Sequence, residues 1–106
     1  MRCCKIKIKN FWTVYIICNC TLDSGILGLT ETDYDKKVSI VKIGKTFLFE
    51  DFFDTLIHEL KHVQSHICKY YNIPEGGEQA AYLIGYISRQ FFKYFKTVNI
   101  STLKNK

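Results

Sequence analysis

Val38 to His62 reads "VSIVKIGKTFLFEDFFDTLIHELKH", and the fold turns on a change of rhythm inside this stretch. Over Val38–Ile43 apolar and polar residues largely alternate, the period of a strand, and Gly44 ends the run. From about Glu50 the period lengthens. Phe53, Leu56, Ile57, Leu60, Val63, Ile67 and Tyr70 fall at helical spacing as far as Tyr71, and Glu50, Asp51 and Asp54 lie early, where the helix dipole favours acids. A strand therefore hands over to a long amphipathic helix.

Upstream, the chain reads as strands separated by turns. Residues 4 to 9 set Cys4, Ile6 and Ile8 against Lys5, Lys7 and Lys9, a half-buried strand. "FWTVYIIC" at 11 to 18 is β-branched and aromatic and reads as a more fully buried strand. "TLDSG" is turn chemistry, "ILGLTET" at 26 to 32 gives a third strand, and "DYDKK" at 33 to 37 turns the chain so that 38 to 43 pairs back on it. Downstream, "NIPEGG" breaks the helix and a second helix is expected from about Gly77 to Phe95. Strands first and helices after predict an α+β domain: a small, mostly antiparallel sheet of three or four strands with two helices on one face.

The 106 residues suit a single domain, with a core over about 4 to 96 and a basic tail from 97 to 106. Hydrophobic content of 47% and charged content of 24% are those of a globular chain. A chain this short builds a shallow groove rather than a cleft between lobes. No apolar run reaches the roughly 20 residues that span a bilayer, so no membrane partner is expected. "MRCCKIKIKN" lacks the apolar stretch of a signal peptide, which points to the cytoplasm of the producing cell or host. Cys3, Cys4, Cys18, Cys20 and Cys68 are odd in number and match no common zinc spacing, so they read as free thiols. The net charge of +5 gathers at the two ends. It admits an acidic partner such as nucleic acid, but no binding signature accompanies it, and a solvated strand face with a basic tail explains it as well.

The chemistry lies in His58-Glu59-Leu60-Lys61-His62, an H-E-x-x-H motif. On a helix the two histidines sit one turn apart on one face and can converge on one ion. Glu59, rotated by about 100°, reaches a metal-bound water as general base. One zinc ion is the expected cofactor, since it suits histidine and carboxylate ligands in an open tetrahedral site and lowers the pKa of bound water to about 7. Leu60 and Val63 point to the core, leaving the histidine face to line a groove.

Two histidines need a third ligand. His66 continues the four-residue spacing, but it lies about 12 Å from His58 along the axis, and bonds of about 2 Å cannot span that without a helix break. The second helix offers Glu75 and Glu78. Glu78 is the better placed, because Ala81 and Gly85 share its face and would let that face press against another backbone. Glu75, His66, Cys68 and a site with no third protein ligand stay open.

H-E-x-x-H followed by a glutamate on the next helix resembles the gluzincin arrangement of zinc metallopeptidases. "GLTETDYDKKVSIVKI", "TLIHELKHV" and "GGEQAAYLIGYISRQ" look similar to very small phage-encoded zincins and to SprT-like domains, over roughly residues 26 to 95. The resemblance implies a minimal metallopeptidase fold with His58, His62 and Glu78 as ligands and Glu59 as base. Where larger gluzincins often carry an aspartate four residues after the ligand glutamate, this chain has Tyr82. The resemblance also implies that the strand before the active-site helix, with Val38, Ile40 and Lys42, is the edge along which an extended peptide substrate adds. Tyr82 and Tyr86, four and eight residues past Glu78, could stabilise an oxyanion, although aromatic residues at that spacing commonly belong to a core. Two functions follow. One is a zinc-dependent peptidase. The alternative is a zincin-fold binding protein with little or no turnover that docks on a host protein or nucleic acid.

Overall fold

A computed structural model describes residues 2–46 and 48–104, without side-chain detail for Arg2 and for 98–104. Lys106, read as part of the basic tail, lies outside the described residues. β1 (Arg2–Ile8) and β2 (Trp12–Cys20) form an antiparallel hairpin in which Ile6 faces Val14 and Cys4 faces Ile16. Their alternation works as the sequence predicts: Cys4, Ile6, Val14 and Ile16 are buried and Lys5 and Lys7 exposed. β3 (Gly28–Asp33) and β4 (Val38–Gly44) form the second hairpin, Leu29 opposite Lys42 and Thr32 opposite Ser39.

The two hairpins join through β2 and β4, which run parallel, giving the order β1-β2-β4-β3. This corrects one expectation. β4, with Val38, Ile40 and Lys42, is an interior strand bonded on both sides, so it offers no edge to a substrate. The chain leaves β2, crosses to the far edge as β3 and turns back to fill the gap, so the two edges of the sheet are β1 and β3.

α1 (Phe49–Tyr71) and α2 (Glu78–Lys104) pack on the same face of the sheet. Leu56, Leu60, Val63 and Ile67 of α1 meet Ile6, Val14, Ile16, Val41 and Ile43 of the sheet, and Ile87 and Phe91 of α2 close the core. Asn72 ends α1 in the left-handed conformation (φ 56°), its N–H reaching back to the last turn. α2 continues well past Phe95, so most of the stretch expected as a tail is helical. Among the described residues no helix is long and apolar enough to cross a membrane.

Candidate metal centre

α1 lies across β3 and β4, and its helical rotation decides what each side chain meets. Leu60, Val63 and Ile67 face the sheet. About 100° round the helix, His58, His62 and His66 form a row over the free edge of β3. A groove of about 320 Å³ runs between them, lined by Gly28, Leu29, Thr30, His58, Glu59, His62 and His66.

His58 and His62 are exposed, and their Nε2 atoms stand 3.2 Å apart with the rings edge to face. That separation has two chemical meanings. One imidazole can donate its Nε2 proton to the other, or both can direct lone pairs at one ion. With zinc–nitrogen bonds of about 2.05 Å, a 3.2 Å bite corresponds to an angle of about 103°, near the tetrahedral value. The pair thus fits a tetrahedral metal ion.

Glu59 is only 6% exposed. The hydroxyl of Thr30 donates to its Oε1 at 2.7 Å and lies 3.3 Å from its own carbonyl oxygen. No buried side-chain oxygen among the described residues lacks a partner. Oε2, for which no hydrogen bond is found, is therefore not sealed from solvent. Gly28 makes this approach of β3 to α1 feasible, since a Cβ there would stand 2.9 Å from Glu59 Cγ and 2.7 Å from Thr55 Cγ2.

His66 belongs to a different circuit. Trp12 Nε1 donates to Ser39 Oγ at 3.0 Å, Ser39 Oγ lies 2.8 Å from Thr32 Oγ1, and Thr32 Oγ1 lies 2.7 Å from His66 Nδ1. Ser39 is fully buried and already accepts from Trp12, so its own proton goes to Thr32. Thr32 Oγ1 then either donates to His66 Nδ1 or accepts from it, according to the His66 tautomer. Burial, with the charges of His62 and Lys69, holds its pKa below the ordinary value. Thr32 takes up Nδ1 of His66, and the ring stands one helical turn beyond His62 and two beyond His58.

Glu78 does not join the pair either. α2 docks on α1 at Gln64, whose Nε2 donates to the Ala80 carbonyl at 2.7 Å. Gln64 is about 200° of rotation from His62, so α2 begins on the opposite side of α1 from the histidines. Glu78 is exposed there, and Ala81 and Gly85, expected against α1, are exposed as well. Glu75 is engaged elsewhere, 3.5 Å from Lys61 Nζ and 3.1 Å from Ser65 Oγ. Cys68 is buried. Among the described residues no group of three or more histidine, cysteine, aspartate or glutamate side chains could hold a metal ion. The tyrosines are displaced for the same reason. Tyr82 is 73% exposed on α2, and Tyr86 donates its hydroxyl to the Lys7 carbonyl on β1, at the edge of the sheet away from the groove.

Compared with protein-family models, with curated proteins and with solved structures, the chain matches none of them. The site must be judged on its own geometry.

Sequence reasoning named His58, Glu59 and His62 but missed Gly28, Thr30 and Thr32. Their signal was present: these residues alternate along β3 and so share one face. Small and hydroxylic side chains on that face are what a close approach to Glu59 and His66 requires.

Proposed function

We propose that the chain is a zinc-dependent peptidase of zincin type, with His58 and His62 holding the ion, Glu59 as general base and an extended polypeptide as substrate. The 3.2 Å bite of the two Nε2 atoms carries this reading. When bound, the ion would supply Lewis-acid activation of a water molecule. The protein's own contribution lies in the residues around it. Thr30 clamps Oε1 of Glu59, which leaves Oε2 as the atom to take a proton. β3 pairs with β4 on one side and has no strand on the other, so its outer backbone groups suit an added peptide strand. His66 lines the same groove, with its Nδ1 held by Thr32.

A second reading is a zincin-fold binding protein without turnover. The observation that favours it is the position of Glu78, which leaves the histidine pair without a third ligand among the described residues.

Zinc titration combined with digestion of a broad peptide mixture separates the two. Glu59→Gln keeps an acceptor for Thr30 and nearly the same volume while removing the base. The peptidase reading predicts zinc binding by wild type and Glu59→Gln, cleavage by wild type alone, and loss of both in His58→Ala. Zinc binding with no cleavage by wild type selects the second reading. Undiminished zinc binding in His58→Ala and His62→Ala would falsify both. Glu78→Ala is expected to bind zinc as wild type does.

A further inference from the structure

Folding brings to one end of the sheet lysines that stand far apart in sequence. Lys7 pairs with Thr13 across β1 and β2, Thr13 pairs with Val38 across β2 and β4, and the Thr13 N–H donates to the Lys37 carbonyl at 3.0 Å. The β1–β2 turn and the β3–β4 turn therefore lie side by side. A cleft of about 240 Å³ opens there, to which the first hairpin contributes Lys7, Lys9 and Phe11 and the second Lys36 and Lys37. No acid lines it among the described residues. Asp33, at the start of the second turn, accepts the Lys36 backbone N–H at 3.1 Å, and Asp35 is exposed in that turn outside the cleft. None of the four lysines takes part in the ion pairs found among the described residues, which are Lys42–Glu31 and Lys61–Glu75.

The backbone singles out two of the same lysines. Apart from glycine, the described residues with positive φ are Lys9 (49°), Asn19 (60°), Lys37 (55°) and Asn72 (56°). Asparagine is ordinary in that conformation, whereas lysine carries the steric cost without a short polar side chain to offset it. Glycine would serve either turn more cheaply. What Lys9 and Lys37 carry against this preference is positive charge beside the cleft. Phe11 is the third observation. It is large and apolar, braced edge-on by Tyr71 at 6.1 Å, and still 54% exposed.

We propose that this cleft binds single-stranded nucleic acid, with the lysines on phosphates and an unpaired base stacked on Phe11. Cations that follow a backbone beside an exposed ring are the combination such strands use. An acidic peptide would engage the lysines and leave Phe11 idle. A duplex would keep its bases stacked on each other, away from the ring. This inference is independent of the metal centre and of any turnover.

Fluorescence anisotropy with a labelled oligodeoxythymidine of about 12 nucleotides tests it. Wild type should bind at low salt. Its log affinity should fall against log salt with a slope of about −3, at about −0.7 for each of four phosphates. Lys9→Gly with Lys37→Gly removes two cations and relieves both left-handed positions, so circular dichroism should be unchanged while the slope falls to about half. Lys93→Gln with Lys96→Gln removes the same charge from α2 and should keep the wild-type slope. Phe11→Ala should weaken binding roughly 10-fold at an unchanged slope, and Phe11→Trp should restore it. A wild type that does not bind, or a folded glycine variant with the wild-type slope, overturns the inference. So does a Lys93/Lys96 variant whose slope falls as far as that of the glycine variant, or Phe11→Ala binding as wild type does. Equal binding of an oligoglutamate of the same charge would make the surface one for acidic peptides, and equal binding of a duplex would remove the stacked base; either overturns it as well.

Discussion

Gly28→Ala should loosen the contact on which the groove depends. Gly28 opens β3 without a positive φ, so the residue answers to space and not to backbone conformation. An added Cβ would stand 2.7 Å from Thr55 Cγ2, 2.9 Å from Glu59 Cγ and 3.0 Å from Glu59 Oε2. Neither neighbour yields cheaply. Thr55 is buried and β-branched, stiff at χ1, and Glu59 is held by Thr30. The strain is relieved by lifting β3 away from α1, and overpacking of this kind costs about 1–3 kcal/mol. In a chain of this size each 1 kcal/mol lowers Tm by about 4–8 °C, so a fall of roughly 5–20 °C is expected. Gly85→Ala is the matched control. It lies within α2, its Cβ meets nothing within 4 Å, and replacing glycine there should stabilise by about 0.8–1 kcal/mol. Thermal unfolding followed by far-ultraviolet circular dichroism reads the two shifts. Gly28→Ala melting with its parent, or Gly85→Ala melting below it, would refute the close approach of β3 to α1 or the openness of the α2 face respectively.

Thr32→Val removes the only acceptor found for the Ser39 proton, and a buried unsatisfied hydroxyl costs about 1–3 kcal/mol, measurable as a lower urea midpoint; an unchanged midpoint would show the Trp12–Ser39–Thr32–His66 chain to be absent. His66 is held below its ordinary pKa of 6.5, chiefly by burial, so as pH falls the unfolded chain takes up the proton first. The stability of neutral His66 is complete above pH 6.5 and is lost as pH drops through the depressed folded value. With a chelator present, wild-type Tm should therefore fall below pH 6.5 more steeply than that of His66→Gln, and parallel curves would contradict the burial. Burial raises the Cys4 and Cys18 thiols to about 11, while Cys3 is exposed. At pH 8 only about one thiolate in a thousand is present at the two raised sites, so mass mapping after brief alkylation should find Cys3 labelled well before Cys4 or Cys18.

The strands and the first helix were legible because one face of each is buried. Lys5 and Lys7 alternate with Cys4 and Ile6, and the Leu56-Leu60-Val63-Ile67 stripe fixes the rotation of α1, so burial at period 2 or 3.6 is written into composition. Order within the sheet was not legible. The partial alternation of "VSIVKI" does not by itself decide whether one neighbour or two bond it, although four of its six residues are apolar. Val41 and Ile43 are buried and Ile40 half-buried, a near-continuous apolar run, and such runs belong to interior strands. Reading that run as an edge followed the resemblance against this local signal.

The third ligand failed for a related reason. Whether Glu78 can reach His62 depends on which flank of α1 receives α2, and that is a tertiary choice. One residue did bear on it. Gln64 lies among Leu60, Val63 and Ile67 as a polar side chain on a buried stretch of α1, only 4% exposed. A glutamine there needs hydrogen-bond partners; Lys61 Nζ donates to its Oε1, and its Nε2 is left to find an acceptor beyond α1. Ala80 supplies it. Once Gln64 directs the docking, helix geometry places α2 about 200° from His62, and Glu78 is lost to the pair while Ala81 and Gly85 are released to the outer face. One buried amide thus fixes which flank of α1 receives α2, and the histidine groove beside β3 lies on the other flank.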